Sequence, residues 1–177
     1  MATNRKISYE LIISMSAVMM SFIAVIVSIQ QTKIAREQQK AGMWPHLETF
    51  NTHPDSTLYT FVVSNQGVGP AIIKKCEIYI QDTIYQDFQG ILQDYHFNGL
   101  YSNIRKDKII QAGQNFEMIK ITESKEMDKW FKVQGEFMKG IKIQYASIYG
   151  DCWEISYGFN KEIETNSLGK CEKNLGN

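Results

Sequence analysis

Cysteine and histidine are scarce in this chain, three of each among 177 residues, and neither set is spaced like a metal site. Cys76, Cys152 and Cys171 are odd in number and lack the close spacing of a disulfide framework, and there is no C-x-x-C. On number and spacing they read as thiols, which places the domain carrying them in the cytoplasm. G-x-x-x-x-G-K-[ST], H-E-x-x-H and G-x-S-x-G are also missing, so the common phosphate-cradling, zinc-hydrolase and nucleophile-elbow signatures are not in this sequence. An excess of either charge is lacking too: 19 basic residues face 19 acidic ones, and from Ala41 onward 14 basic residues meet 17 acidic ones. A groove that follows a polynucleotide needs a clear basic surplus, so no direct polynucleotide binding is expected.

Long hydrophobic runs are missing with one exception. Leu11 to Thr32 carries no charge over 22 residues, about the length needed to cross the hydrocarbon core as a helix. The run exceeds the roughly 7 to 15 apolar residues of a cleaved leader. Its exit through Gln30, Gln31, Thr32 and Lys33 lacks a small-x-small cleavage site. The sequence therefore predicts an uncleaved transmembrane helix over residues 11–32 after a short polar tail, 1–10. Arg5, Lys6 and the terminal amine on one flank balance Lys33, Arg36 and Lys40 on the other, so the positive-inside comparison is close to a tie.

Within this run Ser14, Ala17, Ser21, Ala24 and Ser28 recur at three- and four-residue steps. That spacing puts them on one helix face, where small side chains let backbones approach closely, and it predicts helix packing and a homo-oligomer in the membrane. Residues 33–43 are rich in Gln, Lys, Arg and Ala and predict a helical continuation into water, with Gln31, Ala35 and Gln38 prolonging the seam. Trp44-Pro45 ends it.

Residues 44–160 read as one soluble domain rich in strands. Thr57 to Asn65 is dense in β-branched and aromatic residues and runs into Gln66-Gly67-Val68-Gly69-Pro70, a turn. Ala71 to Ile80 follows, with Ile72, Cys76, Ile78 and Ile80 assigned to one face, and the two strands are expected to pair as a hairpin. Phe116 to Thr122 is a further strand. Ile141, Ile143 and Tyr145 alternate, Gly150-Asp151 is read as a two-residue turn, and Trp153, Ile155, Tyr157 and Phe159 alternate on the return. Helical spacing joins Phe88, Ile91, Leu92 and Tyr95, and again Met127, Trp130, Phe131, Gln134 and Met138. Residues 161–177 are polar and are expected to fray. The fold class expected is one transmembrane helix plus a mainly antiparallel sandwich or partial barrel with one or two short helices.

Trp44-Pro45-His46-Leu47-Glu48 after the span, followed by Asn65-Gln66-Gly67-Val68-Gly69-Pro70-Ala71, resembles a pattern of uncharacterised bacterial single-span, membrane-anchored β-domain proteins. In these an aromatic-Pro pair starts the first strand and Asn-x-Gly-x-x-Pro-Ala links two strands. The resemblance implies a bacterial inner-membrane protein with a small anchored sandwich. At the level of architecture alone the chain is also similar to membrane effectors of bacterial anti-phage systems, in which a soluble domain senses a signal and helices disrupt the membrane.

The remaining chemistry reads as structural. Gly67-Val68-Gly69 lies between strands, whereas a phosphate cradle needs a helix start. His46, His53 and His96 could meet Glu48 or Asp55 around a metal, but their spacing does not demand it, and no metal or cofactor is expected. Cys152 beside Trp153 reads as a buried thiol. Arg105, Lys106 and Lys108 are the densest basic cluster and the candidate contacts for lipid headgroups or a phosphorylated ligand; Lys125, Lys129 and Lys132 decorate a helix face. No catalytic residue is assigned. The function expected is a non-enzymatic membrane sensor or effector whose domain binds a protein, nucleoprotein or nucleotide-like signal. The alternatives are a tethered scaffold and, behind it, a membrane-proximal enzyme using a histidine.

Overall fold

The computed structural model describes residues 9–55, 58–158 and 161–171. The chain divides between Ala41 and Gly42 into two compact units. The first contains helix α1, Tyr9–Ala41, 33 residues without a break, which at 1.5 Å per residue is about 50 Å long. Glu10 in the first turn and Lys40 in the last complement its dipole. None of its residues is buried, although Leu11, Ile12, Ile13, Val18, Phe22, Ile26 and Ile29 are all large and apolar. It is long and apolar enough to cross a membrane.

The second unit is two antiparallel sheets that are not closed into a barrel. Strands β1 (Leu47–Asp55), β2 (Leu58–Asn65), β3 (Ala71–Ile80), β4 (Thr83–Tyr85), β5 (Leu100–Tyr101), β6 (Ile109–Ile110), β7 (Asn115–Ile121), β8 (Met138–Ala146), β9 (Asp151–Gly158) and β10 (Lys161–Lys170) alternate with α2 (Phe88–Asp94) and α3 (Ser124–Lys132). One sheet has the order β1-β2-β7-β5, and the other β10-β9-β8-β3-β4, with β6 also on β3. The inward faces meet over Phe61 and Val63 of β2, Ile119 and Ile121 of β7, Ile73 and Ile78 of β3, Ile143 and Tyr145 of β8 and Ile155 of β9. Burial does not strictly alternate along these strands: every residue of β2 from Tyr59 to Asn65 is buried.

The two helices close one region of this core around Trp130. Its ring lies 5.7 Å from Tyr59, 6.0 Å from Phe88 and 5.6 Å from Phe97, and the residue is 1% exposed. Asp87 caps α2 by accepting from Gly90 N, as a short polar side chain at this position does. Past α3 the chain makes a π-helical turn, Val133–Phe137, and enters β8 directly. Met138 therefore starts a strand and does not extend the helical stripe.

Four other expectations change. β2 and β3 belong to different sheets, so the glycine turn carries the chain across the sandwich and makes no hairpin. A register shift between Ile73 and Lys75 moves the buried set of β3 to Ala71, Ile73, Cys76, Ile78 and Ile80, which turns Ile72 outward; one inserted residue switches the face. The β8–β9 hairpin forms, but its loop is Ser147–Gly150: Ser147 N donates to Asp151 O, Gly150 N donates to Ser147 O, and Gly150 takes φ +76°. Residues 161–170 are a strand, paired to β9 from Lys161↔Gly158 to Lys170↔Asp151. Polarity misled the sequence reading, because an edge strand with exposed faces needs no apolar stripe.

Candidate functional site

A buried polar cluster lies where the domain begins. Asn65 is fully buried, and its side chain makes four hydrogen bonds. Nδ2 donates to Gly69 O (2.8 Å) and Ile110 O (3.0 Å), while Oδ1 accepts from His46 N (3.2 Å) and Gly67 N (3.1 Å). The turn also binds the incoming chain through its own backbone: Gln66 N donates to His46 O, and Val68 N and Gly69 N both donate to Trp44 O. A Cβ at Gly67 would fall on His46 N, and one at Gly69 on the Met43 carbonyl. Glycine is required here by close backbone approach. The structure thus explains the Asn-x-Gly-x-x-Pro-Ala pattern as a latch for Met43–His46. The backbone N–H groups of Gly67, Val68 and Gly69 are spent inside it and are not presented as a phosphate cradle.

A surface cleft of about 760 Å³ opens beside α2, lined by Leu92, Gln93, His96, Phe97, Asn98, Gly99, Leu100, Thr122 and Glu123. Glu126 of α3 holds its floor by accepting from Asn98 N (2.6 Å) and pairing with Lys129 (2.8 Å), whose ammonium also donates to His96 O. The Lys129 ammonium first, and the Asn98 N–H second, hold the Glu126 carboxyl below its ordinary value of 4.5. A carboxyl depressed in the folded state contributes stability that is present above its unfolded pKa and is lost as pH falls through the folded one. Calorimetric melting of Glu126→Gln should therefore show a shallower loss of Tm below about pH 4.5 than the parent chain.

A second cleft, about 370 Å³, lies on the other sheet over Tyr79, Lys139, Lys142, Tyr157 and Glu164. Its neighbourhood is a ladder of charged and polar side chains. Lys75 pairs with Glu77 at 2.8 Å, Tyr79 donates to Glu77 at 3.0 Å, and Gln144 donates to Glu154 at 2.8 Å. Donors on both sides leave Glu77 below the usual carboxylate range although its partial burial pushes the other way.

The sequence-derived candidates fall in separate places. His46 stacks on Trp44 at 5.1 Å and lies 3.5 Å from Glu48; His96 sits in the loop after α2, and the side chains of His53 and Asp55 are outside the described residues. Among the described residues no group of three His, Cys, Asp or Glu could hold a metal. In the basic cluster Lys108 lies 5.3 Å over the Phe116 ring, and neighbouring Asp107 pairs with Lys74 at 3.0 Å, while Arg105 and Lys106 are exposed. The cluster is stitched to β3, since Asp107 N donates to Ile73 O and Ile73 N to Lys108 O. On α1, the Ser14 and Ser21 hydroxyls donate to the carbonyls of Glu10 and Ala17, and Thr32 donates to Ser28 O. Ala24, Ser28 and Thr32 line a shallow groove of about 320 Å³ with Val25 and Ile29.

The cysteine reading is overturned. Cys152 and Cys171 form a disulfide, with Cα atoms 5.2 Å apart; only Cys76 is free, buried, its thiol pushed up to about 12 first by burial and then by Glu77 and Asp87. Number and spacing conceal the pairing, because residues 161–170 carry no apolar stripe that marks them as a strand. Once they form β10, antiparallel register sets Cys171 beside Cys152. The alternation of Ile163, Thr165 and Ser167 was the available signal.

No protein-family model, curated protein or solved structure matches this chain. Its class is set by architecture alone: a two-sheet antiparallel sandwich carrying one long apolar helix.

Proposed function

We propose that this is a single-pass protein of the bacterial inner membrane, held by α1, whose sandwich is a non-enzymatic binding module and whose helices associate with those of other copies. The observation that carries the reading is the small-residue face of α1. The hydroxyls of Ser14 and Ser21 are satisfied by their own helix, so this face costs little in hydrocarbon and still admits a neighbouring backbone. The groove along Ala24, Ser28 and Thr32 lies on the same face. The domain acts as the sensor: a partner meeting the sandwich shifts how the helices pack.

Crosslinking of the full chain in membranes tests it. The parent chain should give dimers or larger species. Ser21→Leu with Ala24→Leu should reduce them several-fold and leave the thermal unfolding of the sandwich unchanged. Monomers alone, with the parent chain, would remove the basis of the proposal. The tethered-scaffold reading separates cleanly, since it requires that an unrelated single-span anchor replace residues 1–32 without loss of function.

A further inference from the structure

We infer that the sandwich lies on the oxidising side of the membrane, with the amino terminus in the cytoplasm, and that Cys152 and Cys171 are substrates of that compartment's dithiol-oxidising machinery. The inference rests on α1 being a membrane anchor. Three contacts besides the disulfide set Cys171 in place: Cys171 N donates to Gly150 O (3.0 Å), Lys170 pairs with Asp151 (2.6 Å), and Lys170 Nζ donates to Tyr149 O (3.0 Å). Gly169, at φ +76°, sits at a register shift between Ser167 and Gly169 that aligns the chain end with the start of β9. A Cα separation of 5.2 Å is within the range that a disulfide spans without backbone movement. The partner sulfurs are thus held together by the sheet itself, and Cys152 is 2% exposed.

Disulfides of this kind persist outside the cytoplasm, where thiols are not kept reduced. The flanking charges of α1 do not oppose the assignment, because they are balanced. The chemistry is thiol–disulfide exchange with a protein disulfide oxidant of that compartment. The thiolate of one cysteine attacks the oxidant's disulfide, the second cysteine displaces the oxidant from the mixed disulfide, and the Cys152–Cys171 bond forms as the oxidant leaves with two electrons and two protons as a dithiol. Cys76, on β3 and 7% exposed, takes no part. One consequence is that ligands confined to the cytoplasm, nucleotide signals among them, do not meet the sandwich.

The test is thiol counting on the full chain made in bacteria with intact oxidising machinery, quenched in acid and tagged with a mass-shifting maleimide under denaturing conditions. One tag is expected before reduction and three after, since the chain has three cysteines and one is free. Cys152→Ser should carry two tags without reduction whether or not it folds. Three tags on the unreduced parent chain would overturn the inference. A reporter phosphatase active only after export, fused beyond Asn177, should be active, and a fluorescent protein that matures only in the cytoplasm should stay dark; the reverse pattern would also overturn it. Carbonate extraction of the same membranes distinguishes this failure from failure of the anchor, because a chain that is released was never anchored.

Discussion

Asn65→Ala should be the most damaging single polar substitution in the domain, lowering its unfolding free energy by about 3 kcal/mol or more. Removing the amide strands two carbonyls, Gly69 O and Ile110 O, and two N–H groups, His46 N and Gly67 N, and a buried polar group left unpaired costs about 1–3 kcal/mol. Water entering the space recovers part of this and keeps the sum below four full penalties. Denaturant unfolding of the detergent-solubilised chain, followed by near-UV circular dichroism, measures it. A loss under about 1 kcal/mol would mean that the backbone bonds of the latch suffice without the side chain. Asn65→Asp is the informative companion: it keeps both acceptor bonds and loses both donor bonds, so it should fall between parent and alanine or below both if the buried charge dominates.

Trp130→Ala is the second. The indole fills the space between Tyr59, Phe88 and Phe97, and truncating a buried tryptophan to alanine costs about 3–5 kcal/mol through lost transfer and the cavity left behind. Trp130→Phe keeps most of the volume and should cost well under half as much. The damage should concentrate in α2 and α3. Hydrogen exchange in Phe88–Asp94 and Ser124–Lys132 should rise ahead of exchange in β8 and β9, because Phe88 of α2 packs directly on the lost indole while β8 is held on both sides by its sheet. Uniform loss across both sheets would show that Trp130 is part of the common core and not of a helical cap.

The long elements were legible because their patterns are physical and local. Twenty-two uncharged residues are unmistakable, and Ile141-x-Ile143-x-Tyr145 announces its face without help. What could not be read depended on partners far along the chain. Whether β2 and β3 pair is decided by the latch, which binds the turn to Met43–His46 instead of letting it close a hairpin. That decision needs Asn65, a residue whose type says turn but whose four bonds say core. The face of β3 depended on one inserted residue opposite β8. The last strand was hidden by its own composition, and with it the disulfide, since neither cysteine carries a local signal until the hairpin brings them side by side.

For the site, the sequence was a fair guide to what Gly67-Val68-Gly69 is not, and no guide to where the clefts lie. His96 borders one of them, but the residues that shape it, Phe97, Asn98 and Glu126, are brought together by a loop and a helix with no shared motif. The helix α1 itself was readable from its uncharged length, and helix periodicity then fixes which of its residues share a face.

The outer edge of β10 carries a consequence for copies held in one membrane. Confinement to a surface raises their mutual effective concentration well above that in solution, and β10, ten residues long and paired on one side to β9, is an edge strand among the described residues and a template for sharing. The exposed Glu164 on that strand and the register shift between Ser167 and Gly169 make strand-to-strand joining unfavourable. An assembly of the proposed kind then rests on its helices and not on shared strands.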